Sequence, residues 1–431
     1  MKQIITFITQ TIRDLTSLPQ AALVIIGGNF INRLGHFVMP FLALYLSRKG
    51  YSLTDSGLAL GAHGLGLLAA SFLGGYLADH IGRKPTILIS LVGNGLTIIA
   101  LGLMNDLSGI LLCAGLTGLS SGLYPSAANA LIADVVNEDM RPTAFATVRL
   151  AVNAGFACGA ALAGFLMAGP LWILFAVDAT TSLIYAGLCA ALLPRLRSRH
   201  RSDAKRSGAR GLGHVFGEWK ATFRHLARNT AYQRLLFAMF PTILVFMQIF
   251  STLGVSLKAA GLQEFHFGLL LGINGLLVIS SEVVITRLVK RFRKPVVLAS
   301  GFVLIGIGAA GFGWAQSMAG MSLAMVVFTI GEMLALPTAM AYSATLAPAE
   351  MRGRYMGLGT LNWSLGSLIA PATGFWLLEN VGLISWNLCG VLGIIAATVI
   401  LWPLPSFYRY RSNSYNLKNP TASTTAVPAF I

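Results

Sequence analysis

Twelve mostly apolar stretches of about 20 residues, set between short basic loops, constrain this chain more than any other feature. They fall near residues 21–46, 56–78, 86–104, 108–132, 144–168, 171–193, 235–258, 266–289, 295–315, 319–344, 355–378 and 383–404. Runs of this length are what α-helices need to cross the hydrocarbon of a bilayer. Backbone in lipid must satisfy its own hydrogen bonds, which helices do within one segment. Composition agrees: of 431 residues 55% are hydrophobic and 11% charged, against about 25% charged in a soluble domain. The fold class expected is an all-α membrane protein of twelve transmembrane helices.

The formal net charge of +16 would fit a nucleic-acid partner if it lay on one stripe. It lies instead in clusters between the apolar runs, so no nucleic acid is expected. With the N-terminus inside, 26 of the Lys and Arg residues fall on the inner side. Only Arg48, Lys49 and Lys258 fall on the other, and Arg33 and Arg149 stay within spans. That excess places both termini in the cytoplasm of a multi-pass protein of the cell membrane.

The loops divide the chain. Residues 1–20 carry Ile4, Ile5, Ile8, Ile12 and Leu15 at helical spacing and lack a cleavage site. They read as an amphipathic surface segment, not a signal peptide. Residues 21–193 form one six-helix half and residues 235–404 the other. Between them, 194–234 is a basic linker ending in an amphipathic helix with Val215, Phe216, Trp219, Phe223 and Leu226 on one face. Residues 405–431 end in a stretch rich in Ser, Thr, Asn and Pro, and are expected to be disordered. Cys113, Cys158, Cys189 and Cys389 sit in apolar runs without metal-ligand spacing and read as packing residues. No metal or cofactor is expected.

The halves repeat at an offset of about 211 residues. Gly57, Gly61 and Gly64 match Gly268, Gly272 and Gly275. Arg83-Lys84-Pro85 matches Arg293-Lys294-Pro295, and Pro125 matches Pro337. Asp139-Met140-Arg141 matches Glu350-Met351-Arg352, and Gly155 matches Gly366. Two repeated six-helix halves imply a substrate site at their interface near mid-bilayer, reached alternately from each side.

Gly75-Tyr76-Leu77-Ala78-Asp79-His80-Ile81-Gly82-Arg83-Lys84 resembles the loop signature between spans 2 and 3 of the major facilitator superfamily. His80 replaces its usual first basic residue. Arg33-Leu34-Gly35, Pro40 to Tyr45, Arg149 to Gly155 and Met351 to Gly357 resemble the drug-exporter-like branch, the multidrug exporters of the MdtH kind. The resemblance implies the major facilitator fold. It also implies a gating role for Gly75, Asp79, Gly82, Arg83 and Lys84, with Arg83 pairing with Asp134. On physical grounds Asp79 suits the backbone amides of a nearby helix N-terminus. The family's antiporter motif in span 5 is degraded. Gly155, Gly159 and Gly164 keep its helix-packing role, while Ala160 stands where the family has proline and Ala163 replaces a glycine.

A charge at mid-helix costs about 2.5–3.5 kcal/mol on insertion scales, so each intramembrane ionisable group needs a reason. Asn29, Asn32, Arg33 and His36 share one face of span 1. That face either lines a central cavity or joins an inter-helix network. Arg149 in span 5 either binds an anion, pairs with an acid, or snorkels to the interface. Glu332 in span 10 is the first choice for a proton-coupling acid, against a structural pairing. Asp178 reads as structural, Glu282 as a partner for Arg287, and His63, matched by Asn274, as a packing residue. The sequence lacks a phosphate-cradling loop and any clustered nucleophile, so neither ATP drive nor an enzyme is expected. The expected function is proton-driven efflux of small, partly apolar organic compounds by a monomer in lipid. The alternatives are an exporter of one metabolite such as a siderophore, an uptake symporter, and a non-transporting membrane sensor.

Overall fold

A computed structural model describes residues 18–166, 169–170, 172–194, 222–289, 291–348 and 351–402. The surface segment, most of the linker and the tail expected above lie outside them. The described chain is helical, with no strand among the described residues. Span 1 is two helices, Gln20–Gly35 and Val38–Arg48. Spans 2 to 6 are Leu53–His80, Arg83–Leu103, Leu107–Val135, Arg141–Leu166 and Trp172–Leu192. Span 7 is Thr230–Ser251, continued by Leu253–Ala259. Spans 8 to 12 are Glu264–Val289, Lys294–Trp314, Met318–Leu346, Arg352–Val381 and Trp386–Leu401. The last two join through a 3-10 turn, Gly382–Ser385. Together Arg354–Leu401 is 48 residues of apolar helix, which at 1.5 Å per residue spans about 70 Å, two crossings of a core about 30 Å thick. Among the described residues the count is twelve.

The repeat extends to the helix boundaries. Leu53 and Glu264, which open spans 2 and 8, are 211 residues apart, as are the first residues of spans 3 and 9, 4 and 10, and 5 and 11. The same chemistry sets matching ends. Asp106 caps span 4 by accepting from the Gly109 amide, and Ser317 caps span 10 through Gly320. Span 1 and the helix that continues span 7 both end two residues before a glycine with positive φ, Gly50 at 88° and Gly261 at 78°. Only glycine adopts that conformation without strain.

Twelve antiparallel crossings bring the first and last described residues, Leu18 and Trp402, to one face, called here the terminal face. Span 2 packs on span 4 within its half and on span 11 across the halves; span 8 packs on span 10 and on span 5. Large apolar side chains such as Leu103, Trp172, Phe237, Trp314 and Leu323 are exposed. Around a soluble protein such a surface would be an aggregation hazard; around this one it is where lipid sits.

Candidate functional site

The glycines matched between halves meet the opposite half. A Cβ on Gly64 would come within 2.6 Å of the Leu368 backbone in span 11. On Gly268 it would come within 2.6 Å of the Ala160 carbonyl and the Gly164 Cα in span 5. Gly272 and Gly275 abut Ala161 and Ala157. Small residues thus let spans 2 and 11, and spans 5 and 8, approach backbone to backbone. Gly155 and Gly159 do the same for span 1, at Phe30, Arg33 and Leu34.

Away from the terminal face the halves are shut. Arg48 ion-pairs with Glu264, and the Thr54 hydroxyl donates to Glu379 at 2.6 Å. Phe41 packs on Phe267 and Phe165 on Phe265, with ring centres 4.9 and 4.8 Å apart. Among the described residues the hydrogen bond and ion pair between halves nearest the terminal face are Ser71 with Ser364, at 3.1 Å, and Arg149 with Glu282. Beyond them spans 2 and 11 part. Tyr76 is 50% and Met356 37% exposed, and a Cβ on Gly75 or Gly359 would meet nothing within 4 Å. Among the described residues, the space between the halves opens to the terminal face.

The loop signature stays within its own half. Arg83 reaches Asp79 at 2.5 Å, the Ala78 carbonyl at 2.7 Å and, through Nε, Asp134 at 3.3 Å. Lys84 donates to the carbonyls of Ala190 and Leu193, capping the end of span 6. Gly82 turns the chain with φ at 103°. Asp79 does not meet backbone amides at a helix N-terminus, as its chemistry had suggested. It is 67% exposed and pairs with Arg83, because spans 2 and 11 are apart at this face.

The stripe on span 1 divides. Asn29 donates to Tyr124 at 2.7 Å, and Tyr124 lies 2.6 Å from the Tyr185 hydroxyl. Asn32 donates to Ser182 at 2.9 Å, as does Asn94 at 3.0 Å. His36 Nδ1 faces Asp178 Oδ1 at 3.8 Å. These three join spans 3, 4 and 6 in an inter-helix network. Arg33 is the exception. It is half-buried and makes no hydrogen bond or ion pair with any described residue; Asp178 acts on it only from a distance.

In the other half Glu332 occupies the middle of span 10. Its Oε2 accepts from Asn274 of span 8 at 2.8 Å, and Asn274 also donates to Thr329 at 3.0 Å. Arg149 crosses from span 5 to ion-pair with Glu282 and also attracts Glu332. A single guanidinium therefore links the halves beside two carboxylates. Glu282, read from the sequence as a partner for Arg287, ion-pairs across the halves with Arg149. Thr54 and Glu379, which the sequence reading passed over, close the far face. Both lie at helix ends, where polar residues are ordinary and carry no signal.

A family model described as Major Facilitator Superfamily matches residues 25–371 and 255–428. The chain is 26% identical over 413 residues to a Na(+), Li(+), K(+)/H(+) antiporter of Planococcus maritimus, covering 88% of this chain and 94% of that one. It is 24% identical over 382 residues to the multidrug resistance protein MdtH of Enterobacter sp. (strain 638), covering 87% and 92%. Among solved structures, a D-xylose-proton symporter superposes with a TM-score of 0.72 at 15% identity, covering 90% of this chain and 98% of that one. A POT family transporter in complex with 5-aminolevulinic acid gives 0.72 at 16%, covering 89% and 96%.

Proposed function

Because the chain belongs to the Major Facilitator Superfamily of membrane transporters, we propose that it is a proton-driven exporter of small, partly apolar organic compounds. One observation carries the coupling. Arg149 of one half ion-pairs with Glu282 of the other and attracts Glu332, so any rocking of the halves moves a cation relative to two intramembrane acids. A proton on Glu332 competes with Arg149 for the same negative charge. Binding the proton and releasing the guanidinium are thereby linked to the relative position of the halves. The gating residues Gly75, Asp79, Gly82, Arg83, Lys84 and Asp134 clamp spans 2, 3 and 4 together, so that they move as one block.

Arg33, unpaired and half-buried, is the substrate-contacting group in this reading. The basic loops put both termini in the cytoplasm, so the open terminal face is the one from which export loads. The protein works as a monomer in the cell membrane. The likeness to MdtH supports a broad range of organic compounds. A second reading, exchange of monovalent cations for protons, is favoured by the likeness to the Planococcus maritimus antiporter.

Proteoliposomes with a trapped pH dye separate the readings. Sodium or potassium added alone moves protons only in the second. In the first, proton flux appears only with an organic substrate, found by profiling cytosol and medium of cells carrying the intact protein or Arg33→Ala. Glu332→Gln should abolish proton movement in either case. Unchanged proton flux in that variant would falsify the assignment of coupling to Glu332.

A further inference from the structure

The break in span 1 is built differently from the break in span 7. At the second, between Ser251 and Leu253, every partner is neutral and satisfied. Gln248 donates to the Ala370 carbonyl at 2.9 Å, and Thr252 donates to Gln248 Oε1 at 2.9 Å. At the first, between Gly35 and Val38, the groups are ionisable and incompletely paired. Asp178, 1% exposed, accepts from the Val38 amide through Oδ2 at 3.3 Å, so its carboxyl group sits at the N-terminus of the second helix of span 1, where the helix dipole favours negative charge. Its Oδ1 has no hydrogen-bond partner. Neither has His36 Nδ1, which faces it at 3.8 Å, nor His63 Nε2 of span 2, which acts electrostatically on His36.

Buried polar atoms are nearly always hydrogen-bonded, and leaving one unpaired is costly. Here two such atoms face each other about 1 Å beyond the length of a charge-assisted bond. The neutral break in the other half shows that a kink in this fold does not require this arrangement.

We propose that His36 and Asp178 form a proton-binding site in the N-terminal half, separate from Glu332. A proton from the aqueous side adds to His36 Nδ1, and the N–H so formed donates to Asp178 Oδ1. The imidazolium–carboxylate pair fills both vacant bonding positions and holds the two helices of span 1 at a fixed angle. Other titratable groups near the site come from each neighbouring element. Span 1 itself brings Arg33, the competing cation for Asp178; span 2 brings His63; span 4 brings Tyr124, which acts on Arg33. Span 5 presents Gly155 and Gly159. Span 7 and Leu253–Ala259 carry no Asp, Glu or His, and their Arg234 and Lys258 lie near the far ends of those helices. The transporter then binds a proton in each half.

The site is tested at equilibrium, without substrate or flux, so its failure is distinct from failure of the proposed transport. Full-length protein in lipid nanodiscs is stepped between about pH 5 and pH 8, the range in which histidine titrates, and the protons released are counted with an indicator. His36→Gln should release one proton fewer than the unaltered protein. Asp178→Asn, which keeps an acceptor for the Val38 amide, should release one fewer as well. The double variant should lose no more than either single one, because the two residues hold the same proton. Glu332→Gln should subtract independently. Should Asp178→Asn fail to fold, His36→Gln decides alone. An unchanged count in His36→Gln, meaning a neutral pair bridged by water, overturns the proposal, and so do losses that add in the double variant.

Discussion

At the scale of single residues, the pair that joins the halves is open to measurement. Arg149 is 45% and Glu282 12% exposed, so the pair lies between a surface bridge and a buried one. Removing one partner leaves the other charged in a partly dry setting, whereas removing both leaves none. Arg149→Met and Glu282→Gln should each lower the melting temperature. The double variant should recover part of the loss, with a coupling of about 1–3 kcal/mol in a double-mutant cycle. Purely additive losses would mean that the two side chains do not interact in the membrane. The sequence made the Arg83–Asp134 contact legible because a whole motif carries it. It did not reach the Arg149–Glu282 pair, because Arg287 is near Glu282 in the chain while Arg149 is near only after two halves pack. It also grouped Asn29, Asn32, Arg33 and His36 by helical angle. A helical wheel gives a shared face but not which neighbouring helix meets each part of it.

At the scale of elements, glycines at equivalent-looking places differ in consequence. Gly64 and Gly268 hold the halves backbone to backbone, and a side chain there has no room. Gly64→Val or Gly268→Val should destabilise the protein by about 1–3 kcal/mol, read as a lower midpoint of thermal unfolding in detergent. Gly75 faces open space, so Gly75→Val should leave stability within about 0.5 kcal/mol. Its effect belongs to the other conformation. When spans 2 and 11 close on the terminal face, the added methyl groups obstruct the approach, and turnover should fall with ligand affinity kept. Normal turnover in Gly75→Val would remove that glycine from the gate. The twelve spans and the 211-residue repeat were readable because apolar run length and spaced glycines are local signals. Helix ends were less so. Span 2 was expected over 56–78 and runs Leu53–His80, because its capped polar ends extend past the hydrocarbon. The break in span 1 lies between Gly35 and Pro40 and the break in span 7 just before Gly254, but such residues are common throughout these spans, and hydropathy runs straight across both breaks.

At the scale of the whole molecule, the two faces are held by different means. The far face is closed by contacts between the halves: Arg48 with Glu264, Thr54 with Glu379, and two aromatic pairs. At the terminal face the ion pairs of the loop signature lie within one half. Alternating access requires the far contacts to break while spans 2 and 11 close on the opposite side. A transporter that rocks must therefore stop when the far contacts are made permanent. In a background lacking the native cysteines, Thr54→Cys with Glu379→Cys should accept a short thiol cross-linker in the state described here, and transport in proteoliposomes should fall to background. Reversing the link should restore it. Tyr76→Cys with Met356→Cys should link only slowly at first, and faster when a population closed at the terminal face is favoured by substrate or pH. Each link should exclude the other in the same molecule, since no single position of two rigid halves closes both faces. Efficient formation of both in one molecule would mean that the halves flex locally instead of rocking, and coupling through Arg149 would then lose its mechanical basis.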